Sequence, residues 1–164
     1  MNDDITKQLW DELESKNPDE KKIRGLVAQE AKIKGEFMHD LMWLVYAPDT
    51  WEDRGGKGLD VKFVQLMIDL GAELNFIDED DGTNCLWLAC DTYRPELVEI
   101  LLKAGVNPNI INTETFGSTL DNAYGLLHLE TRVYDRGCDV PMQRIVDLLI
   151  QYGAKTAFEL KGHH

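Results

Sequence analysis

The sequence predicts an all-α protein built from about four helix pairs joined by short hairpin-like loops. Three observations carry that expectation. The segments VKFVQLMIDLGAELN (61–75), PELVEILLKAGVNPN (95–109) and QRIVDLLIQYGAKTA (143–157) align without gaps. In each, apolar residues recur at helical spacing: Phe63, Val64, Leu66, Met67 and Leu70; Leu97, Val98, Ile100, Leu101 and Ala104; Ile145, Val146, Leu148, Leu149 and Tyr152. Gly71, Gly105 and Gly153 stand just past the last periodic residue, where a left-handed C-terminal cap favours a residue without Cβ.

The elements follow in order. Residues 4–35 read as two helices broken at Asn17-Pro18, with Ile5, Leu9 and Leu13 on one stripe and Ile23, Leu26 and Val27 on the other. This stretch is either a degenerate repeat or an N-terminal helical cap. EFMHDLMWLVYAP (36–48) reads as the helix preceding Phe63–Leu70, followed by a linker, DTWEDRGGKGLD (49–60). Trp10, Trp43, Leu44 and Tyr46 fall in apolar helices and are expected in the core. FGSTLDNAYGLLHLE (116–130) supplies the first helix of the last pair. The glycine spacing is 34 residues from Gly71 to Gly105 and 48 from Gly105 to Gly153, so the last unit holds an insertion, placed near 129–141. The chain of 164 residues is expected to form one domain over 1–160, with repeats at 36–80, 81–115 and 116–157. The closing 161–164 reads as the remnant of a purification tag.

A 34-residue spacing lies close to the roughly 33-residue ankyrin period. Residues 82–110, GTNCLWLACDTYRPELVEILLKAGVNPNI, resemble one whole ankyrin repeat without a gap. Gly82, Leu86, Ala89, Glu96, Val98, Leu101, Leu102, Gly105 and Asn109 match the family pattern. Its Thr-Pro-Leu-His element has drifted to Asn84-Cys85-Leu86-Trp87, in which Asn84 can still cap a helix. The resemblance implies a divergent ankyrin-type solenoid with a concave face and protruding loop tips, and a role in binding other proteins.

Composition limits the partners. With 30 acidic and 17 basic residues the formal charge is −13, which disfavours nucleic acid and anionic membranes and suits a basic protein. MNDDITKQLW has acid where a secretory signal needs positive charge, and no run approaches the roughly 18 apolar residues of a membrane span. Cys85, Cys90 and Cys138 form no close C-x-x-C pair, which fits a reduced, cytoplasmic setting.

The motifs that suggest chemistry fail on inspection. Cys85 and Cys90 point about 140° apart on a helix, so they cannot share a metal and read as buried, inert thiols. DRGGKG (53–58) puts Gly58 where a phosphate loop needs Ser or Thr. IDEDDGTN (77–84) puts Ile77 first and Leu88 at the required Glu of a calcium loop. His39 and His128 lie in no nucleophile or metal pattern, so neither catalysis nor a cofactor is expected.

The resemblance therefore directs attention to a partner-binding surface. Its candidates are Glu79, Asp80, Asp81, Trp87, Asp91, Tyr93 and Arg94 on the tips and first helices, with Arg132, Tyr134, Asp135 and Arg136 on the inserted loop. Trp51, Tyr93, Phe116 and Tyr134 fall in or beside loops, as exposed anchors or as tucked-in plugs. Small size and acidity together suggest an immunity-type inhibitor of a cationic nuclease toxin, monomeric on its own. The alternative is a structural or regulatory subunit acting by self-association or in a larger assembly.

Overall fold

In a computed structural model of the chain, the described residues are 2–46, 58–134 and 139–162. Most of the 49–60 linker, with Trp51 and the DRGGK stretch, lies outside them, as do Asp135, Arg136, Cys138 and the two terminal histidines. Among the described residues the secondary structure is helical, apart from an isolated bridge between Ile111 and Ser118. The chain forms two compact units, Met1–Leu74 and Asn75–His164.

The first unit holds α1 (Asn2–Glu14), α2 (Glu20–Ala28), α3 (Phe37–Tyr46) and α4 (Val61–Asp69). The break at Asn17-Pro18 is followed by Asp19, whose carboxylate accepts from the Lys21 and Lys22 N–H groups and so caps α2. Leu9, Leu13, Ile23 and Leu26 are buried where α1 packs on α2. Along α3 the buried stripe is Phe37, Met38, Leu41, Met42 and Val45. Trp43 is 53% exposed, against the expectation of a core position. In a helix apolar almost all round, composition does not say which side faces in, and the i, i+4 stripe leaves Trp43 on the far side. Trp10 is half-buried, its ring 4.8 Å from that of Phe37.

The second unit holds α5 (Cys85–Cys90), α6 (Pro95–Lys103), α7 (Thr119–Leu129), α8 (Asp139–Gln151) and the single turn α9 (Ala157–Leu160). First helices stack on first helices and second on second: α5 packs on α6 and α7, and α8 on α6 and α7. Leu86, Leu97, Leu101, Ala123, Ile145 and Leu149 lie at the centre with no exposed surface. The extra residues of the last pair are largely helical. They lengthen α7, continue it through a π-helical turn, Glu130–Tyr134, and lengthen α8. The expected inserted loop is thus helix over its first half.

All four helix pairs stop in the same way. Gly71, Gly105 and Gly153 have φ of 90°, 93° and 85°, and Glu30, after α2, has 68°. The next N–H reaches back five residues each time: Ala31 to Leu26 O (3.2 Å), Ala72 to Met67 O (3.0 Å), Val106 to Leu101 O (3.2 Å) and Ala154 to Leu149 O (2.9 Å). This is the Schellman cap, which satisfies carbonyls that the helix leaves open. A side chain four residues past the cap then ties each pair to its neighbour within a unit. Lys34 Nζ donates to Gly71 O at 2.6 Å, and Asn109 Nδ2 to Gly153 O at 3.1 Å.

Candidate functional site

The second unit presents two loop tips, residues 78–83 and 112–117, and behind each tip a first helix. Both tips fold by the same rule. Asp78 Oδ1 accepts from the Asp80 and Asp81 N–H groups, and Asn112 Oδ1 from those of Glu114 and Thr115. Each tip is closed by a backbone pair: Asp78 N to Thr83 O at 2.8 Å, and Asn112 N to Gly117 O at 2.9 Å. Side chains of Asp and Asn that bond their own backbone two residues on are the usual means of fixing such turns. Tip one is bound to tip two through Thr113, whose N–H meets Asp81 O at 2.7 Å and whose hydroxyl meets Asp80 O at 3.3 Å.

Each tip hands over to a capped helix. Asn84 Oδ1 accepts from Trp87 N at 3.1 Å to start α5, so the drifted Asn does act as the cap. Ser118 and Asp121 form a reciprocal capping box at the start of α7. Asp121 Oδ2 also accepts from Ala157 N at 2.7 Å, which ties α9 to α7.

Between α5, α7 and tip two runs a groove of about 550 Å³. Its floor is Trp87, and one wall is the α7 stripe of Gly125, Leu126, His128 and Leu129; Thr115 and Gly117 close the tip end.

The expected partner-facing residues separate into three groups. Glu79, Asp80 and Arg132 are exposed, and Asp81 is half-buried with its carboxylate bonded to Thr83. Trp87, the third residue of α5, is only 8% exposed and lies at the floor of the groove between α5 and α7. Asp91 is half-buried and accepts from Asn122 Nδ2 at 3.0 Å. Burial pushes its carboxyl above the ordinary aspartate range, with the Asn122 bond acting the other way. Tyr93, at φ 57°, is half-buried and donates its hydroxyl to Glu130 Oε1 at 2.9 Å, joining the start of α6 to the π-helical turn. Arg94 is half-buried at the start of α6. The side chain of Tyr134, with Asp135 and Arg136, lies outside the described residues.

Of the loop aromatics whose side chains are described, Phe116 is the more exposed, 65% at the tip; Tyr124 and Leu129 on α7 are also partly open. The sequence carried a signal for Phe116, since it lies one 34-residue period after Gly82. Cys85 and Cys90 are buried, and burial pushes the Cys85 thiol up to about 12 and that of Cys90 upward as well, so neither is a nucleophile. Among the described residues, no three His, Cys, Asp or Glu side chains are grouped to hold a metal, and no helix is long and apolar enough to cross a membrane.

Tip one, α5, α6 and the start of tip two form one structural unit, and the comparison with known families falls on it. Residues 81–113 match the ankyrin-repeat family model. No curated protein matches the chain. The matched stretch opens at Asp81, ahead of the Asn84 cap, and ends on Thr113, the residue that joins the two tips. The protein is all-helical in its described part, and over residues 81–113 it is similar to an ankyrin repeat.

Proposed function

We propose that the protein is a non-enzymatic binding module for a basic protein partner, which docks on the tips and first helices of the second unit. The observation that supports this is the segregation of charge. Residues 75–93 and 104–129 carry Asp78, Glu79, Asp80, Asp81, Asp91, Glu114 and Asp121 and no lysine or arginine. The basic residues of this unit, Arg94, Lys103, Arg132, Arg144, Lys155 and Lys161 among them, fall elsewhere. Such separation raises the local potential of one edge and steers a cation onto it.

The sharper form of the proposal is an immunity-type inhibitor. Rim carboxylates imitate nucleic-acid phosphates and occupy the cationic cleft of a nuclease toxin in the cytoplasm, where the two buried thiols stay reduced. A charge-reversed variant, Glu79→Lys/Asp80→Lys/Glu114→Lys, tests both forms. Captured from the native cell at low salt and eluted by a salt gradient, the partner of the wild-type protein is expected to be a small basic protein that the variant does not retain. A partner held equally by both proteins, or one insensitive to salt, would rule the acidic edge out.

Self-association has its own support. Val140 on α8 and Phe158 on α9 are more than half exposed, and Ile150 nearly so, which leaves apolar surface near the C-terminal end. Sedimentation at two concentrations separates the readings: a single monomeric species at both leaves that surface unoccupied by a second copy.

A further inference from the structure

We propose that Phe116 is the anchor of this edge, and that the groove beside it receives one apolar side chain from a Lys/Arg-rich segment of the partner. The proposal rests on the basic-partner reading above and makes it specific.

The first ground is the backbone. Phe116 occupies the tip position that Gly82 occupies one repeat earlier, with φ of 60° against 74°. A left-handed conformation is unfavourable for a bulky residue and free for glycine. Yet the ring makes little return within the fold, being 65% exposed. A strained position that presents an aromatic ring to solvent points to use outside the fold.

The second ground is the groove. Its volume of about 550 Å³ is ample for one side chain, and Trp87, Gly125, Leu126 and Leu129 give it an apolar lining. Two of the polar groups within it are already engaged, Asp121 by the Ser118 and Ala157 N–H groups and Asn122 by Asp91. With Trp87, Leu126 and Leu129 making up most of the side-chain lining, the groove favours apolar surface. Recognition of charge falls to the rim, where Glu79, Asp80 and Glu114 are exposed. One apolar residue flanked by cations fits both demands.

Two labelled peptides of about nine residues test this, each of Lys and Arg around a central position, with Trp in one and Ala in the other; such a strand extends about 30 Å. Amide resonances of the ¹⁵N-labelled full chain report the site. The Trp peptide is expected to shift Thr115, Gly117, Gly125, Leu126 and Leu129, and to bind at least about fivefold more tightly than the Ala peptide, which is roughly 1 kcal/mol. Phe116→Gly is expected to abolish that preference while raising Tm by about 2 °C, because glycine relieves the strained φ. Phe116→Tyr keeps the preference. A fall in Tm for Phe116→Gly, or a preference that survives it, overturns the anchor. If both peptides bind equally and in a salt-dependent way, the anchor fails and the acidic edge stands. If neither binds, both fail.

Discussion

The two tips of the second unit share a backbone and differ in what they demand of it. In both, an Asp or Asn folds the turn and the fifth residue turns left-handed. At Gly82 a Cβ would sit 2.9 Å from Ile111 O and 3.1 Å from Thr113 Cγ2, because tip two lies against tip one. At Phe116 the side chain points into solvent, and a whole aromatic ring is accommodated. A left-handed turn thus excludes side chains in two separable ways, by its φ alone and by what is packed over it. Only the packed tip requires glycine on both counts.

Replacing Gly82 by Ala breaks this arrangement most severely. The φ penalty adds to a clash with a backbone carbonyl that cannot swing away, for a loss of about 2–4 kcal/mol. Urea unfolding at constant m-value measures it. A loss under about 1 kcal/mol would mean that the tips part freely, and that the Thr113 bonds to Asp80 and Asp81 contribute little.

Gly105→Ala isolates the conformational part. Its φ is 93° and nothing lies within 4 Å of an added Cβ, so only the left-handed penalty of about 1–2 kcal/mol applies. The difference between the two variants is the steric contribution at the stacked tip. Equal losses would remove the contrast.

The helices behind the tips repeat the comparison in their first residue. Cys85 opens α5 buried and makes no strong polar demand, whereas Thr119 opens α7 buried with its hydroxyl lacking a hydrogen-bond partner among the described residues. Thr119→Val keeps the shape and removes the orphan, so a gain of about 1 kcal/mol is expected in the same unfolding measurement. No gain would indicate that the hydroxyl finds a partner in solution.

Much of this was legible in the sequence, for reasons that also mark its limits. Gly71, Gly105 and Gly153 announced their caps because the left-handed residue was glycine and the apolar stripes before it were clean. The fourth cap, at Glu30, carried no such mark, which is why 4–35 could be read as a repeat or as a cap. Asp and Glu at the tips were read as exposed, and Glu79 and Asp80 are. The placement of Trp87 and Tyr93 was not legible, because aromatic side chains beside a short helix can face either way, and the choice is made by residues far along the chain: α7 lies beside Trp87, and Glu130 accepts from Tyr93 across 37 positions. Trp43 shares the exposed side of α3 with Asp40 three residues earlier, a single polar mark that the otherwise apolar helix outweighed.

Glu30 also supplies the smallest and most direct check on how the strained tip is understood. Like Phe116 it is an exposed, non-glycine residue in a left-handed slot; unlike Phe116 it stands at a helix end far from the acidic tips in sequence. Glu30→Gly relieves the φ penalty but gives the unfolded chain more freedom, so the net gain is about 0.5 kcal/mol. The same opposition of terms governs Phe116→Gly, with the ring's packing removed as well. If Glu30→Gly stabilises and Phe116→Gly does so to a similar extent, the ring adds nothing to the fold, and its presence at the tip is left to be accounted for by binding. If Glu30→Gly stabilises while Phe116→Gly destabilises, the ring packs in solution, and the tip is a structural one.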